Sequence, residues 1–71
     1  MVKTFTVGQI AKALRCHERS ARIYLGEVNE QIDRYTENLA ERIDVKTVAV
    51  LCRRYRDTLI GRRLVPLLQT I

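Results

Sequence analysis

Apolar positions in the first third of the chain recur at the spacing of two short helices joined by a turn. Thr6 is a natural N-cap, and the helical face that follows it consists of Val7, Ile10, Ala11 and Leu14. A second helix is expected from about His17 to Leu25, with Gly26 placed to end it. Its inward residues are Ala21, Tyr24 and Leu25. This spacing predicts a helix-turn-helix within residues 1–26.

Beyond Gly26 the apolar residues return at steps of three and four, which predicts a helix with one apolar stripe and acidic faces. That stripe consists of Val28, Ile32, Tyr35, Leu39 and Ile43. A break at Thr36 is the alternative. Asp44 is expected to cap a further helix. The buried stripe of that helix consists of Val45, Val48, Leu51, Cys52, Tyr55 and Leu59.

Gly61 and Pro66 are expected to punctuate the end of the chain. The short apolar tail around them consists of Leu64, Val65, Leu67, Leu68 and Ile71. It is expected to pack back on the domain or against a second chain. No alternating run is long enough for a sheet. The pattern predicts a single all-α domain of four to five helices over residues 1–71, with residues 27–71 as a helical extension and dimerisation region.

A weak internal repeat is found when Gln9–Cys16 is aligned with Asn38–Val45. The second copy would use Leu39, Ala40, Ile43, Val45 and Val50. Residues 47–51 of that copy are almost all apolar and cannot hydrogen-bond base edges. We therefore expect the second copy to serve as core or dimer interface.

Charge is segregated along the chain, whose formal net charge is +5. Residues 1–25 hold five basic residues and one acidic residue, residues 26–44 hold two basic and six acidic, and residues 45–71 hold six basic and one acidic. Two basic ends favour a polyanionic partner, because a clustered field attracts phosphate. Solvated helix faces that only keep the protein soluble are the alternative that composition leaves open.

The segment FTVGQIAKAL, Phe5 to Leu14, resembles the opening helix of helix-turn-helix transcriptional regulators, particularly the MerR-like and excisionase-like groups. The resemblance covers about the first 25 residues. Arg15 stands where the tight turn usually has Gly, and no β-hairpin wing is expected after Gly26. The resemblance implies that the second helix enters the major groove of DNA. The residues it places against base edges are His17, Glu18, Arg19, Arg22 and Ile23.

The chemistry of these side chains suits base recognition. Arg19 or Arg22 can each bond guanine O6 and N7 in a bidentate manner. Glu18 can accept from cytosine N4, and Ile23 can pack on a thymine methyl. The first helix would cross the phosphate backbone. The candidates for phosphate contacts are Lys3, Thr6, Gln9, Lys12 and Arg15. Candidates for flanking phosphates, or for a solvated basic face, are Arg53, Arg54, Arg56, Arg62 and Arg63.

A chain this short buries only about 60% of its unfolded surface, so a partner copy is expected to add stability. The expected homodimer interface consists of Tyr35, Leu39, Tyr55, Leu59, Leu64, Leu67 and Leu68. A twofold dimer would bind an inverted repeat with half-sites about 34 Å apart.

Catalysis and metal binding find little support. The chain has one histidine, no glycine-rich phosphate loop and no second Cys or His pair beside Cys16 and His17, so we expect no enzyme activity, no metal and no cofactor. Cys16 and Cys52 are expected as small buried thiols without a disulfide. No apolar run approaches the roughly 18 residues that a membrane span needs, which predicts a cytoplasmic protein.

These features predict a sequence-specific double-stranded DNA-binding protein, either a transcriptional repressor or a mobile-element accessory factor, that acts as a homodimer. RNA is disfavoured because the aromatic residues fall on inward stripes and leave no exposed stacking platform. The alternative is a helical protein–protein interaction module, an adaptor or antitoxin-like inhibitor, that uses the acidic middle and the apolar C-terminal tail.

Overall fold

The computed structural model describes residues 3–70, which form four helices and one two-stranded sheet. In chain order the elements are β1 (Thr4–Thr6), α1 (Val7–Leu14), α2 (Glu18–Val28), β2 (Arg42–Asp44), α3 (Val45–Arg54) and α4 (Leu59–Leu68). The predicted helix-rich character is confirmed, but the expectation of a purely all-α fold is wrong because of the sheet. Within residues 3–70, no helix combines the length and apolarity that a bilayer crossing requires.

The sheet pairs a strand near the start of the chain with a strand that directly precedes α3. Strands β1 and β2 are antiparallel, and the buried side chains of Phe5 and Ile43 lie opposite each other at its centre. Each strand has three residues, so the alternation that predicts a strand is too short to recognise in the sequence. Because β1 precedes α1 and β2 precedes α3, the sheet fixes the starts of two helices.

Each strand also ends in the residue that caps the following helix, as the sequence predicted for both caps. The Thr6 hydroxyl accepts from the backbone N–H of Gln9, and the Gln9 side chain accepts from the backbone N–H of Thr6. This is a capping box, which pairs two helix N–H groups that would otherwise lack partners. The Asp44 carboxylate accepts from the backbone N–H of Thr47 at 3.1 Å.

The strand-cap-helix units β1–α1 and β2–α3 are related by an internal repeat. The backbone N–H of Val7 donates to the carbonyl of Glu41 at 2.9 Å, and that of Val45 donates to the carbonyl of Lys3 at 3.1 Å. The repeat therefore aligns Thr6 with Asp44. The predicted alignment of Gln9 with Asn38 is wrong, because residue 38 lies in a loop and the second copy begins at β2.

Residues 29–41, here called the 29–41 loop, do not form the predicted acidic helix. The side chains of Asn29, Asp33 and Asn38 each accept from the backbone N–H two residues further on. Such turns compete with helical hydrogen bonds for the same N–H groups. The predicted stripe is divided as a result, because Ile32 is buried while 94% of Tyr35 is exposed.

Glycine and proline positions were expected to end helices, and these expectations are wrong. Gly26 lies inside α2, and both Gly61 and Pro66 lie inside α4. A Cβ atom on Gly26 would lie 2.8 Å from Nε of Arg34, and one on Gly61 would lie 2.3 Å from the carbonyl oxygen of Tyr55. Gly61 therefore permits close packing against the Tyr55 backbone, whereas Gly26 leaves room for the flexible side chain of Arg34.

The core draws on both halves of the described chain. Its buried apolar residues are Phe5, Val7, Ile10, Ala11, Leu14, Ala21, Leu25, Ile32, Ile43, Val48, Leu51 and Leu64. Leu67 and Leu68 pack partly buried against this core, so the C-terminal segment packs back on the domain as a helix. Ile71, the last residue of the expected tail, lies outside the described residues. The predicted extension of the α3 stripe to Leu59 is wrong, because α3 ends at Arg54.

The turn between α1 and α2 depends on Arg15, whose backbone is left-handed at φ 56° and ψ 44°. The backbone N–H groups of Arg15 and Cys16 donate to the carbonyls of Lys12 and Ala11, both at 3.1 Å. This pattern of two bonds closes a helix and normally places Gly at the left-handed position. Arg15 is the sole non-glycine residue with positive φ within residues 3–70.

We expect Arg15→Gly to raise the free energy of unfolding by about 1 kcal/mol, because glycine adopts the left-handed region without the steric cost of Cβ. The control is Lys12→Gly, which removes an exposed cation from the interior of α1 and should lower stability by about 1 kcal/mol. Urea denaturation measures both. A stability loss in Arg15→Gly would contradict the backbone assignment of this turn.

Candidate nucleic-acid interface

The outward surface of α2 begins at His17, the residue that caps this helix. Its ring nitrogen Nδ1 accepts from the backbone N–H of Arg19 at 3.2 Å. A neutral histidine that accepts at one nitrogen carries its proton on the other, so Nε2 is a donor. Arg19 and Ile23 follow on the same face, and 44% of the Ile23 side chain is exposed. Three of the five predicted base-reading residues therefore face outward.

Arg22 was expected to point outward with them, and this expectation is wrong. The residue is only 1% exposed and its guanidinium is directed toward the 29–41 loop. It donates to the carbonyl of Asp33 at 2.8 Å and to the carbonyl of Asn38 at 3.1 Å. A guanidinium provides five N–H donors, which is why one residue can satisfy several loop acceptors at once. Arg22 is not placed to reach a base edge.

Two carboxylates complete the Arg22 contacts. Nε of Arg22 lies 2.9 Å from Glu18, and Nη2 lies 3.4 Å from Glu41. Burial lowers the pKa of the Arg22 guanidinium, but hydrogen bonds to these two carboxylates raise it above its ordinary value overall. The charged form of Arg22 is therefore held in place by opposite charge on both sides.

Glu18 is likewise occupied within the protein. Its Oε2 accepts from Arg22 and also from the backbone N–H of Asn38 at 2.8 Å. These two contacts, the Asn38 bond first, lower the pKa of Glu18 below its ordinary value of 4.5. Glu18 was expected to accept a hydrogen bond from cytosine. Its Oε2 already accepts from Arg22 and Asn38, which opposes that role.

A groove of about 440 Å³ separates the outward face of α2 from the 29–41 loop. The lining residues are His17, Glu18, Arg19, Ile23, Arg34, Tyr35, Thr36 and Glu37. Asp33 holds the loop wall in shape, because its carboxylate accepts from the backbone N–H of Tyr35 and from the Thr36 hydroxyl. These bonds lower the pKa of Asp33, the Thr36 hydroxyl contributing most.

Four of the groove residues, Arg34, Tyr35, Thr36 and Glu37, were not predicted for this surface. Tyr35 was expected on the apolar stripe of a helix and in the dimer interface, whereas no functional role was predicted for Arg34. The presence of Asn29, Asp33 and Asn38 in this segment was the sequence signal for a loop, since Asn and Asp favour turns over helix. The prediction that no aromatic side chain is exposed is wrong for Tyr35.

The predicted phosphate contacts of the first helix are distributed unevenly. Lys12 and Arg15 are exposed. Thr6 and Gln9 form the capping box, which uses the amide oxygen of Gln9 and leaves its amide nitrogen as a donor. Nζ of Lys3 donates to the carbonyl of Thr70 at 3.1 Å, near the end of the described chain.

The five C-terminal arginines do not form one uniform surface. Nη1 of Arg63 donates to the carbonyl of Leu14 at 2.9 Å and so caps the end of α1. Nε of Arg54 lies 3.5 Å from Glu27 of α2. The exposed arginines of the set that have no ion pair within residues 3–70 are Arg53, Arg56 and Arg62.

The residues predicted for a dimer interface lie in different environments. Leu64 is fully buried in the core, which is incompatible with its predicted place in an interface. Tyr55 packs edge-on against Tyr24 at 5.4 Å between ring centroids, and its hydroxyl donates to Glu27. Tyr35 lines the groove, whereas Leu59 is 57% exposed at the start of α4. Leu39 is also exposed, and Leu67 and Leu68 are partly buried.

Both cysteines are unpaired. Burial raises the pKa of the Cys16 thiol, although the nearby Arg63 lowers it in part. Within residues 3–70, no three side chains of His, Cys, Asp or Glu are grouped closely enough to hold a metal ion.

Comparison of the chain with known protein families, with curated proteins and with solved structures finds no match. The geometry of α2 and of the groove beside it is therefore the basis for assigning a function.

We expect Arg22→Met to lower the free energy of unfolding by about 3 kcal/mol, because it leaves Glu18 and two loop carbonyls without their shared donor. Arg19→Met is the matched control on the same helix and should change stability by less than about 0.5 kcal/mol. Urea denaturation of both variants provides the comparison. Equal effects from the two substitutions would contradict the anchoring role of Arg22.

Acid should weaken the same contacts. A carboxyl group whose pKa is lower in the folded state stabilises the protein fully above its unfolded pKa, and this contribution is lost as the pH falls through the folded pKa. For Glu18 the loss therefore begins below about pH 4.5. We expect Glu18→Gln to show a shallower decline in stability than the wild type between about pH 5 and about pH 3. Parallel declines would show that Glu18 does not contribute.

Proposed function

We propose that this protein binds double-stranded DNA in a sequence-specific manner and reads the major groove with α2. The proposal rests on the exposed face of α2. Arg19 and Ile23 project there from a helix that other α2 residues hold in place. Ala21 and Leu25 anchor the helix in the core, and Arg22 anchors it to the 29–41 loop. A rigid helix that presents a guanidinium and an apolar side chain suits recognition of base edges.

The dimensions of α2 are compatible with this placement. An 11-residue helix is about 16 Å long, and with its side chains it is about 10–12 Å wide. The major groove of B-DNA is about 12 Å wide. Because α2 would fill the major groove of the DNA, the 29–41 loop beside α2 would lie on the phosphate strand that bounds the major groove. Arg34 would supply the positive charge there.

The exposed cations around the reading helix support the same function. Lys12 and Arg15 lie on α1 and the following turn, where a helix-turn-helix protein crosses the phosphate backbone. Arg53, Arg56 and Arg62 are further candidates for flanking phosphates. Such contacts position the protein and carry no sequence information.

We further propose that the protein acts as a homodimer and serves as a transcriptional repressor or a mobile-element accessory factor. One 11-residue helix reads few base pairs, so a second copy would supply most of the added specificity. Leu59 and Val65 on α4 are exposed apolar side chains that such an interface could cover, and Leu39 and Val50 are exposed as well.

The interaction-module alternative is less well supported. The acidic middle segment that this module would use already forms contacts within the protein. Glu41 pairs with Arg22, and Asp33 accepts a hydrogen bond from the backbone of the 29–41 loop. The apolar tail is mostly packed on the core, where Leu64 is buried.

Selection from a random duplex DNA pool at physiological ionic strength tests the proposal. An enriched sequence would support specific recognition, and an inverted repeat with half-sites one helical turn apart would support the dimer. Affinity for the enriched site should decrease by orders of magnitude between about 50 mM and about 200 mM salt. A folded protein that enriches no sequence would favour the interaction module.

At the enriched site we expect Arg19→Ala to lose about 1–3 kcal/mol of binding free energy and to lose little on random DNA. Lys12→Ala should weaken binding to both kinds of DNA alike, since a phosphate contact is independent of sequence. Lys46→Ala is a charge-matched control in α3, an element to which the proposal assigns no base contact. Fluorescence anisotropy titration measures all three. Equal losses by Arg19→Ala on both kinds of DNA would contradict its assignment as a base reader.

A further inference from the structure

Fewer side chains of α2 are available for base contacts than the sequence predicts. Glu18 and Arg22 are bonded to each other and to the 29–41 loop, so the cytosine acceptor and the second guanine donor are withdrawn from it. The exposed side chains of α2 are Arg19, Ile23 and Glu27. Glu27 is engaged by Arg54 and the Tyr55 hydroxyl, which leaves Arg19 and Ile23 for the outward face. Both line the groove beside the loop.

The chemistry of these two side chains selects different bases. A guanidinium can donate two parallel bonds to O6 and N7 of guanine, the major-groove acceptor pair that suits its fork. Ile23 has no hydrogen-bonding group and can distinguish bases only by apolar contact. The thymine methyl group is the apolar feature of the major groove.

Their spacing fixes the distance between the two bases. Residues four apart on a helix lie on one face, separated by about 6 Å along the axis. Successive base pairs of DNA are about 3.4 Å apart. A helix that lies along the major groove of DNA therefore brings Arg19 and Ile23 to base pairs about two steps apart.

We propose that each α2 helix recognises a guanine and a thymine methyl about two base pairs apart, through Arg19 and Ile23 respectively. This inference rests on the proposed function, because it specifies the DNA that the same helix face selects. It assigns no base contact to Glu18 or Arg22.

Altered bases in the selected duplex test each contact separately. Replacing the guanine by 7-deazaguanine removes N7 but retains O6, so wild-type binding should weaken about 5-fold, the lower end of the range for loss of a whole bidentate contact. Replacing it by hypoxanthine retains O6 and N7 and should leave affinity nearly unchanged. Replacing the thymine by uracil removes one methyl group and should weaken binding about 4-fold.

Matched variants connect each base to its side chain. In Arg19→Ala the effect of 7-deazaguanine should disappear while the effect of uracil persists. In Ile23→Ala the reverse is expected. Both positions are exposed on α2, so the variants should fold, which thermal denaturation checks.

The outcomes separate this inference from the proposed function. A selected site that lacks the guanine–thymine spacing, or wild-type affinity indifferent to both altered bases, would overturn the inference and leave DNA recognition intact. The absence of any selected site would instead contradict the proposed function itself.

Discussion

The buried guanidinium of Arg22 determines how the surface around α2 is arranged. It connects the helix to two carbonyls of the 29–41 loop and to the carboxylates of Glu18 and Glu41. A buried cation requires such partners, because an unpaired charge in the interior is strongly unfavourable. The residue thereby fixes the loop beside the helix and creates the groove. Because Arg22 and Glu18 are bonded within the protein, the proposed DNA specificity depends on a residue to which we assign no DNA contact.

The elements that could be predicted from sequence are those that local chemistry specifies. Thr6 and Asp44 were recognisable as N-caps because a side-chain oxygen preceding an apolar helical face satisfies helix N–H groups. The apolar face of α1 and the inward positions Ala21 and Leu25 follow directly from helical periodicity. The turn at Arg15 was located correctly although its residue type is unfavourable there, since the helices on either side define it.

The remaining features depend on contacts between distant parts of the chain. The strands have three residues each, and only the pairing of Phe5 with Ile43 makes them a sheet. Steps of three and four from Val28 to Ile43 imitate a helix, but the turns at Asp33 and Asn38 take the backbone N–H groups a helix would need. Arg22 has the helical phase of an outward residue, and its burial requires a loop that begins seven positions later. Arg34 and Tyr35 reach the candidate site because of that loop.

We propose that DNA contacts the outward face of α2 and the adjoining loop. NMR chemical-shift mapping with the selected duplex tests it most directly, because backbone amide signals report each element separately. We expect the largest changes at Arg19, Ile23 and residues 34–37, with little change at Lys46 of α3. Large changes on α4 together with an unperturbed α2 would contradict the proposal.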